Sequence, residues 1–196
     1  MSPASNSNPC VRVIKIGGSV LTDEIAYLRS AVFLRDRLRQ RPEERFLIVV
    51  SARAGVTDLL FKLSKRVVPD PDPVALDLLW STGELHSVAL LSLHLHALGE
   101  AAIGLNVHQT GLTLPGGKKS SAALELKVQC LKEKLAVYSV VVVPGFLALR
   151  CDQTIVSLGR GGSDLTTTVD VHRGREWWWL AAVGGNWRHD LADSGT

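Results

Sequence analysis

Short apolar runs rich in β-branched residues alternate with helical patterns along most of this chain. The clearest runs extend from Val11 to Ile16, from Phe46 to Val50 and from Tyr138 to Val143. Continuous apolar strands of this kind suit a parallel sheet that is covered on both faces. The alternation therefore predicts an α/β protein, a three-layer αβα sandwich with a mainly parallel central sheet.

Helical patterns fill the stretches between these strands. We expect helices at 22–41, from residue 57 to about 68, at 74–98 and at 121–136. The third helix is expected to be interrupted near Ser81-Thr82-Gly83. Further strands are expected at 102–107 and 154–158, with a loop at 108–119.

Turns rich in small residues follow several of the predicted strands. They lie at 17–19, 51–57, 144–146 and 159–164. In sheets of this class, ligands bind beyond the carboxyl ends of the strands. The turns are therefore expected to converge on one edge of the sheet and to supply the binding site.

The composition is that of an ordinary globular protein. Hydrophobic residues make up 46% of the 196 residues and charged residues 21%, which excludes a disordered, collagen-like or disulfide-built chain. Cys10, Cys130 and Cys151 are odd in number and far apart, which favours the cytoplasm and disfavours a structural zinc site. The sequence has no run of about 18 consecutive apolar residues, so we expect no membrane span. Residues 1–10 are expected to be a short disordered leader.

Charged residues of both signs are interleaved, and the formal net charge is +3. The densest basic stretch, 35–41, is expected to form the exposed face and C-terminal end of a helix, where cations are favourable. The alternative is a patch that binds anions or nucleic acid. We favour the helix face and expect no nucleic-acid partner.

A lysine and two glycines close the first predicted strand, in the order Lys15-Ile16-Gly17-Gly18-Ser19. Glycines allow backbone N–H groups to approach phosphate oxygens, and a following helix N-terminus adds positive potential. The spacing is not that of the common P-loop. The alternative is a tight turn without a ligand.

A second glycine-rich turn, 159–164, contains Arg160 between glycines. An arginine in such a turn can bind a carboxylate with two hydrogen bonds. Ser163 and Asp164 are also suitable N-caps for a following helix, so a simple capped turn is the alternative.

Glu84 follows Gly83 within the long helical pattern and could receive the ammonium group of a ligand. The alternative is a stabilising acid near a helix N-terminus. His94 and His96 suggest a metal site, but positions two apart on a helix point in different directions. We therefore assign no metal ligands.

Taken in order, five segments resemble the aspartate kinases of the amino acid kinase superfamily. They are IKIGGSV (14–20), IVVSARAGVTDLL (48–60), STGELHSVALLSLHLHALG (81–99), VVVPGF (141–146) and SLGRGGSDLTTT (157–168). The resemblance covers about residues 11–170, and it implies that 11–171 form the N-terminal, substrate-binding part of an amino acid kinase domain. Gly-Gly-Ser-Val stands where aspartate kinases usually have Gly-Gly-Thr-Ser-Val, which leaves open a kinase of another small acid or phosphate acceptor.

The resemblance implies a role for each residue of these motifs. Lys15 and Asp164 would be catalytic, the first by stabilising the transferred phosphoryl group and the second by positioning the phosphate-binding groups. Arg160 would bind a substrate carboxylate and Glu84 the α-ammonium group. Three residues would line the same pocket, and five would bind phosphate: Thr57, Phe146 and Ser163 for the pocket, and Gly17, Gly18, Ser19, Gly161 and Gly162 for phosphate.

The reaction implied is the phosphorylation of the L-aspartate β-carboxylate by ATP, on the route to lysine, threonine and methionine. Mg²⁺ would arrive with the nucleotide, without an assigned protein ligand. The carboxylate, with a reference pKa of about 3.9, is ionised at neutral pH and needs no general base. It needs positioning and cations that offset its repulsion from the triphosphate.

The tail at 172–196 departs from this pattern. It holds four of the five tryptophans, Trp177, Trp178, Trp179 and Trp187, and we see no counterpart of the family's ATP-binding elements there. One hypothesis is a shifted reading frame or premature stop, and the other is a genuine segment that caps the sheet with its aromatics. A non-catalytic remnant or amino-acid-binding module is therefore an alternative function. We expect poor solubility or homo-oligomers unless the tail covers the open sheet edge.

Overall fold

The computed structural model describes residues 10–115, 124–159, 177–183 and 186–188. Within these residues, the larger sheet has six strands. In sheet order they are β10 (Asn186–Arg188), β9 (Trp177–Val183), β1 (Cys10–Ile16), β2 (Glu44–Val50), β6 (Val140–Pro144) and β3 (Ala102–Gly104). All neighbouring pairs are parallel except β9 and β10, so the prediction of a mainly parallel sheet is confirmed.

A smaller four-stranded sheet and the helices complete the described fold. The small sheet has the order β5 (Glu125–Leu126), β4 (Leu112–Thr113), β7 (Leu147–Leu149) and β8 (Ile155–Ser157). The described helices are α1 (Glu24–Gln40), α2 (Val56–Val67), α3 (Pro73–Ala97), α4 (Val107–Thr110) and α5 (Val128–Val137). Among the described residues, none of these helices is both long enough and apolar enough to cross a membrane.

Two apolar layers cover the two faces of the larger sheet, as the sequence predicts. Successive strand residues point to opposite faces, so Ile48 packs with α1 and α3 while Leu47 and Val49 pack on the other side. The second face is covered by α5, through Leu131 and Leu135, together with the small sheet. The result is a three-layer α/β arrangement with an apolar layer on each face of the larger sheet.

Helix α3 is continuous, so the predicted interruption near Ser81-Thr82-Gly83 is wrong. The hydroxyl of Ser81 donates to the Leu78 carbonyl and that of Thr82 to the Leu79 carbonyl, both at 2.7 Å, within the helix itself. Gly83 is needed for packing, because a Cβ there would lie 3.0 Å from Cγ1 of Val56. The small residues therefore allow close packing of α3 against α2 rather than a break.

Three shorter predictions also differ from the structure. The strand expected at 102–107 ends at Gly104. Residues 107–110, at the junction of that strand with the loop expected at 108–119, form α4, because Asn106 and Gln109 make a capping box. The helix expected at 121–136 begins only at Val128, since 125–126 pair with β4. Residues 116–123 lie outside the described part of the chain.

The Trp-rich tail contributes backbone pairing to the larger sheet. Trp177–Val183 lies parallel to β1, with Val11 opposite Trp177 and Ile16 opposite Ala182, and β10 folds back antiparallel to it. The edge of β1 that would otherwise be open is thus paired. We expected poor solubility or homo-oligomers only if the tail left this edge uncovered, and the tail covers it. The two hypotheses about the origin of the tail stay open.

The basic stretch at 35–41 has a partly structural role. Arg37 on α1 donates to both carboxylate oxygens of Glu44, at 2.9 and 3.2 Å, and Arg12 on β1 donates to one of them at 3.1 Å. The side chain of Glu44 is almost fully buried. A buried carboxylate paired with two guanidinium groups ties α1 to the start of β1 and β2.

Candidate functional site

Backbone hydrogen bonds join the ends of neighbouring strands at one edge of the fold. Ser51 N–H donates to the Ile16 carbonyl at 3.0 Å, and Gly145 N–H donates to the Val50 carbonyl at 2.7 Å. Leu158 N–H donates to the Phe146 carbonyl at 2.7 Å. The turns after β1, β2 and β6 are therefore brought together, and β8 ends beside them.

The first turn is built around two glycines that lie close to other backbone. A Cβ on Gly18 would lie 2.7 Å from the carbonyl oxygen of Ala52, so only glycine fits there. Lys15 is half-buried near the end of β1, and its Cε lies 3.9 Å from the place of a Cβ on Gly17. Ser19 is exposed at the tip of the turn. Lys15 therefore lies next to the glycine turn, an arrangement that suits the binding of a phosphate group.

Glu84 is the buried acid of the site. It lies on α3 with 4% of its surface exposed, and its carboxyl group receives a hydrogen bond from the backbone N–H of Ala52. Within the described part of the chain, its second oxygen, Oε2, has no hydrogen-bond partner. Burial raises the pKa of Glu84 from its usual 4.5 to about 8, against the lowering effect of the Ala52 N–H. Burial therefore keeps this carboxyl protonated at neutral pH.

Groups from α1 and from the turn after β2 face the same region. The hydroxyl of Tyr27 lies 2.8 Å from the Ser87 hydroxyl, one turn beyond Glu84. Burial raises the pKa of Tyr27, and the charge of Glu84 adds to this effect while the charge of Arg53 opposes it. A cation placed at Glu84 would be held in a largely dry environment, where electrostatic attraction is strong.

Phe146 and Thr57, both predicted to line the pocket, occupy different surroundings. Phe146 follows β6 with a φ of 66°, in the left-handed region that is uncommon for a bulky residue. Its ring centroid lies 6.1 Å from that of Trp80, which in turn lies 6.3 Å from that of Phe61. Thr57 is exposed on the first turn of α2. Phe146 is thus held against α3, whereas Thr57 stands at the surface.

The second glycine-rich turn is described only at its start. Gly159 has a φ of 80°, which glycine adopts readily. The remaining predicted residues of this turn lie outside the described residues: Arg160, Gly161, Gly162, Ser163 and Asp164. Their roles stay predictions.

Sequence reasoning missed two residues on the site face of α3. The hydroxyl of Ser157, at the end of β8, donates to the buried carboxyl of Asp77 at 2.7 Å. The indole nitrogen of Trp80 is buried near Phe146. The spacing of Asp77, Trp80 and Glu84 along the helix was the available signal, since residues three, four and seven apart share one face.

Among the described residues, no group of three or more His, Cys, Asp or Glu side chains could hold a metal ion.

Comparison with known proteins decides the family. A family model described as the amino acid kinase family matches residues 11–169. The chain belongs to the amino acid kinase family. The matched region includes every site residue that the sequence predicts, from Lys15 to Asp164.

The similar proteins are aspartate kinases, which confirms the resemblance. An aspartokinase of Thermus thermophilus is 44% identical over 125 residues, which are 64% of this chain and 31% of that protein. The chain therefore spans about a third of the length of this curated relative. The crystal structure of an aspartate kinase from Synechocystis has a TM-score of 0.70 and 27% identity, over 87% of this chain and 28% of that one.

A third comparison concerns the fold alone. Aspartokinase III of E. coli, solved in complex with aspartate and ADP, has a TM-score of 0.64 at 21% identity. It is matched over 88% of this chain and 49% of its own. The larger sheet and its flanking layers are thus those of aspartate kinases.

Proposed function

We propose that this chain binds L-aspartate and the phosphates of MgATP at its strand-end edge and acts in phosphoryl transfer to the β-carboxylate. The product would be an acyl phosphate on the route to lysine, threonine and methionine. The similarity to aspartokinases supports this proposal, and so does the aspartate and ADP bound by the E. coli protein of like fold.

One observation carries the proposal. Ala52 contacts both halves of the candidate site, because its N–H binds the Glu84 carboxyl while its carbonyl oxygen abuts Gly18. A buried acid suited to an ammonium group is thereby fixed next to a glycine turn suited to phosphate. An amino acid held at Glu84 would lie beside a nucleotide held at the turn, as a transfer between them requires.

The chemistry needs few groups. An oxygen of the β-carboxylate would attack the γ-phosphorus, the bond to the bridging oxygen would break, and that oxygen would leave with ADP. Lys15 would offset the negative charge on the transferred group. Arg160 would hold a carboxylate, Thr57, Phe146 and Ser163 would line the pocket, and Asp164 would position the phosphate-binding residues, among them Gly17, Gly18, Ser19, Gly161 and Gly162. Mg²⁺ would be carried by the phosphates of the nucleotide.

Substrate binding would release a proton. Burial keeps the Glu84 carboxyl protonated below about pH 8, and it would ionise when an ammonium group binds beside it. Affinity for aspartate should therefore rise with pH up to about 8.

The test is a trapping assay with the 196-residue chain. The protein is incubated with MgATP, L-aspartate and hydroxylamine, and the acyl phosphate is measured as its hydroxamate. We expect product from the unchanged chain and none from Lys15→Ala. Lys132→Ala removes an exposed lysine on α5 and serves as the matched control, with unchanged yield.

Other outcomes point to the alternatives. Aspartate-dependent heat in calorimetry that is lost in Arg160→Ala, with no hydroxamate, would indicate an amino-acid-binding module without phosphoryl transfer. Hydroxamate or phosphorylated product from another acid, and none from aspartate, would indicate a different acceptor. A yield that Lys15→Ala leaves unchanged would contradict the role assigned to that lysine.

A further inference from the structure

Two buried polar atoms on neighbouring turns of α3 lack partners. They are Nε1 of Trp80, a hydrogen-bond donor, and Oε2 of Glu84, and within the described residues neither has a hydrogen-bond partner. Residues four apart on a helix lie on one face, with Cβ atoms about 5 to 6 Å apart. Two buried polar atoms without partners thus belong to residues on the same face of α3, one helical turn apart.

The indole of Trp80 is held in place by aromatic packing. Its ring lies between Phe61 of α2 and Phe146, which follows β6 at the strand-end edge. The Phe146 carbonyl is itself fixed by the hydrogen bond from Leu158 N–H. The ring therefore sits at the edge that carries the candidate site, on the same helix face as Glu84.

An unpaired buried donor is unfavourable. Leaving a buried polar group without a partner costs free energy, so such groups are uncommon in folded proteins. A ligand that supplies the missing partner recovers this cost on binding. Oε2 of Glu84 becomes a hydrogen-bond acceptor when the carboxyl ionises, and the ammonium group of a ligand would then supply its partner.

The complementary ligand carries an acceptor and a donor next to each other. In an α-amino acid, the α-carboxylate and the ammonium group are attached to one carbon, so both can reach sites one helical turn apart. We propose that Trp80 is a substrate-binding residue whose indole N–H donates a hydrogen bond to the α-carboxylate of the amino acid held at Glu84. This inference rests on the proposed function and adds a residue that selects for α-amino acids.

Selectivity would follow from this arrangement. β-Alanine keeps the ammonium group and the distal carboxylate of aspartate but lacks the α-carboxylate. It should satisfy Glu84 and leave the indole N–H of Trp80 unpaired. The two ligands therefore separate the role of Trp80 from that of Glu84.

The experiment is calorimetric titration of the 196-residue chain and its Trp80→Phe variant with L-aspartate and with β-alanine. Phenylalanine keeps an aromatic ring between Phe61 and Phe146 but removes the N–H. A hydrogen bond to a charged group corresponds to a loss of about 10-fold to 150-fold in affinity for L-aspartate. Affinity for β-alanine should change by less than about 2-fold, since no such bond is removed.

The titrations distinguish failure of the proposed function from failure of the inference about Trp80. If the unchanged chain binds no L-aspartate, the proposed function fails. If it binds L-aspartate and Trp80→Phe binds equally well, the inference about Trp80 alone is overturned. An equal loss for both ligands would also overturn it, because the effect would then come from packing.

A second measurement covers the case in which Trp80→Phe does not fold. The unchanged chain, labelled with ¹⁵N at tryptophan, is titrated and its indole N–H signals are recorded. We expect one of the indole signals to shift downfield with L-aspartate and not with β-alanine. If no indole signal distinguishes the two ligands, Trp80 does not contact the α-carboxylate.

Discussion

The two halves of α3 bury different kinds of side chain along the same helical face. In the site half, residues 73–87, the buried residues include Asp77, Ser81 and Glu84. In the core half, residues 88–97, they include Leu91 and Leu95, which pack in the apolar cluster under the larger sheet. Periodicity sets which face is buried, but the position along the helix decides what that face meets.

The partners of each half explain the difference. The core half lies against strand interiors, where apolar side chains such as Leu91 and Leu95 supply the packing. The site half lies against strand ends, where Ala52 N–H and the Ser157 hydroxyl are available to carboxyl groups. A buried stripe that turns polar therefore marks the place where a helix passes from the core to a site.

The largest expected effect is in the core half. Leu91→Ala should lower the free energy of unfolding by about 2 to 5 kcal/mol, because it leaves a cavity among fully buried side chains. Urea denaturation measures the change. Leu93→Ala, two residues away and 61% exposed, is the matched control with a change within about 0.5 kcal/mol. Equal effects would mean that the core half is not packed as described.

The next largest effect is the change with pH in the free energy of unfolding, which tests the protonation of Glu84 in the site half. The folded chain keeps the proton on Glu84 up to about pH 8, while the unfolded chain loses it near 4.5. Between these values the folded state binds more protons, so stability falls as pH rises, by about 1.4 kcal/mol per unit. Relative to Glu84→Gln, the unchanged chain should lose about 3 kcal/mol between about pH 5.5 and about pH 7.5.

Urea denaturation of both proteins at the two pH values measures this difference. Glutamine keeps the shape of the side chain and cannot ionise, so it removes the titration of this one group. Parallel stability curves for the two proteins would contradict the assignment of a protonated Glu84.

The smallest expected effect compares two buried serines. Ser157→Ala removes the hydrogen bond to the buried carboxyl of Asp77 and should cost about 1 to 3 kcal/mol. Ser92→Ala, in the core half, removes a hydroxyl that donates only to the Val88 carbonyl of its own helix. It should cost less than about 1 kcal/mol, because no buried carboxyl loses a partner. Thermal denaturation measures the stability of the two variants. A larger loss of stability for Ser92→Ala than for Ser157→Ala would contradict the difference between the two halves of α3.

Local sequence patterns indicate several residues of the candidate site. The Gly17-Gly18 turn and Glu84 could be proposed as site residues because glycines after a strand and an acid in a helical pattern are local signals. Their roles come from the resemblance and stay expectations. Trp80 and Asp77 were missed, since nothing local shows that an indole will lack an acceptor or that a carboxyl will meet Ser157, 80 residues away. Such facts depend on what the fold brings together.

The sequence by itself determined the alternation of strands and helices and the apolar faces of the larger sheet, because both follow from local periodicity. Only the tertiary structure decided that α3 runs unbroken past Gly83, that Ala52 joins the acid to the glycine turn, and that residues 177–183 pair with β1. These features depend on contacts between segments far apart in the chain, whose free energy is set by burial and pairing rather than by local propensity.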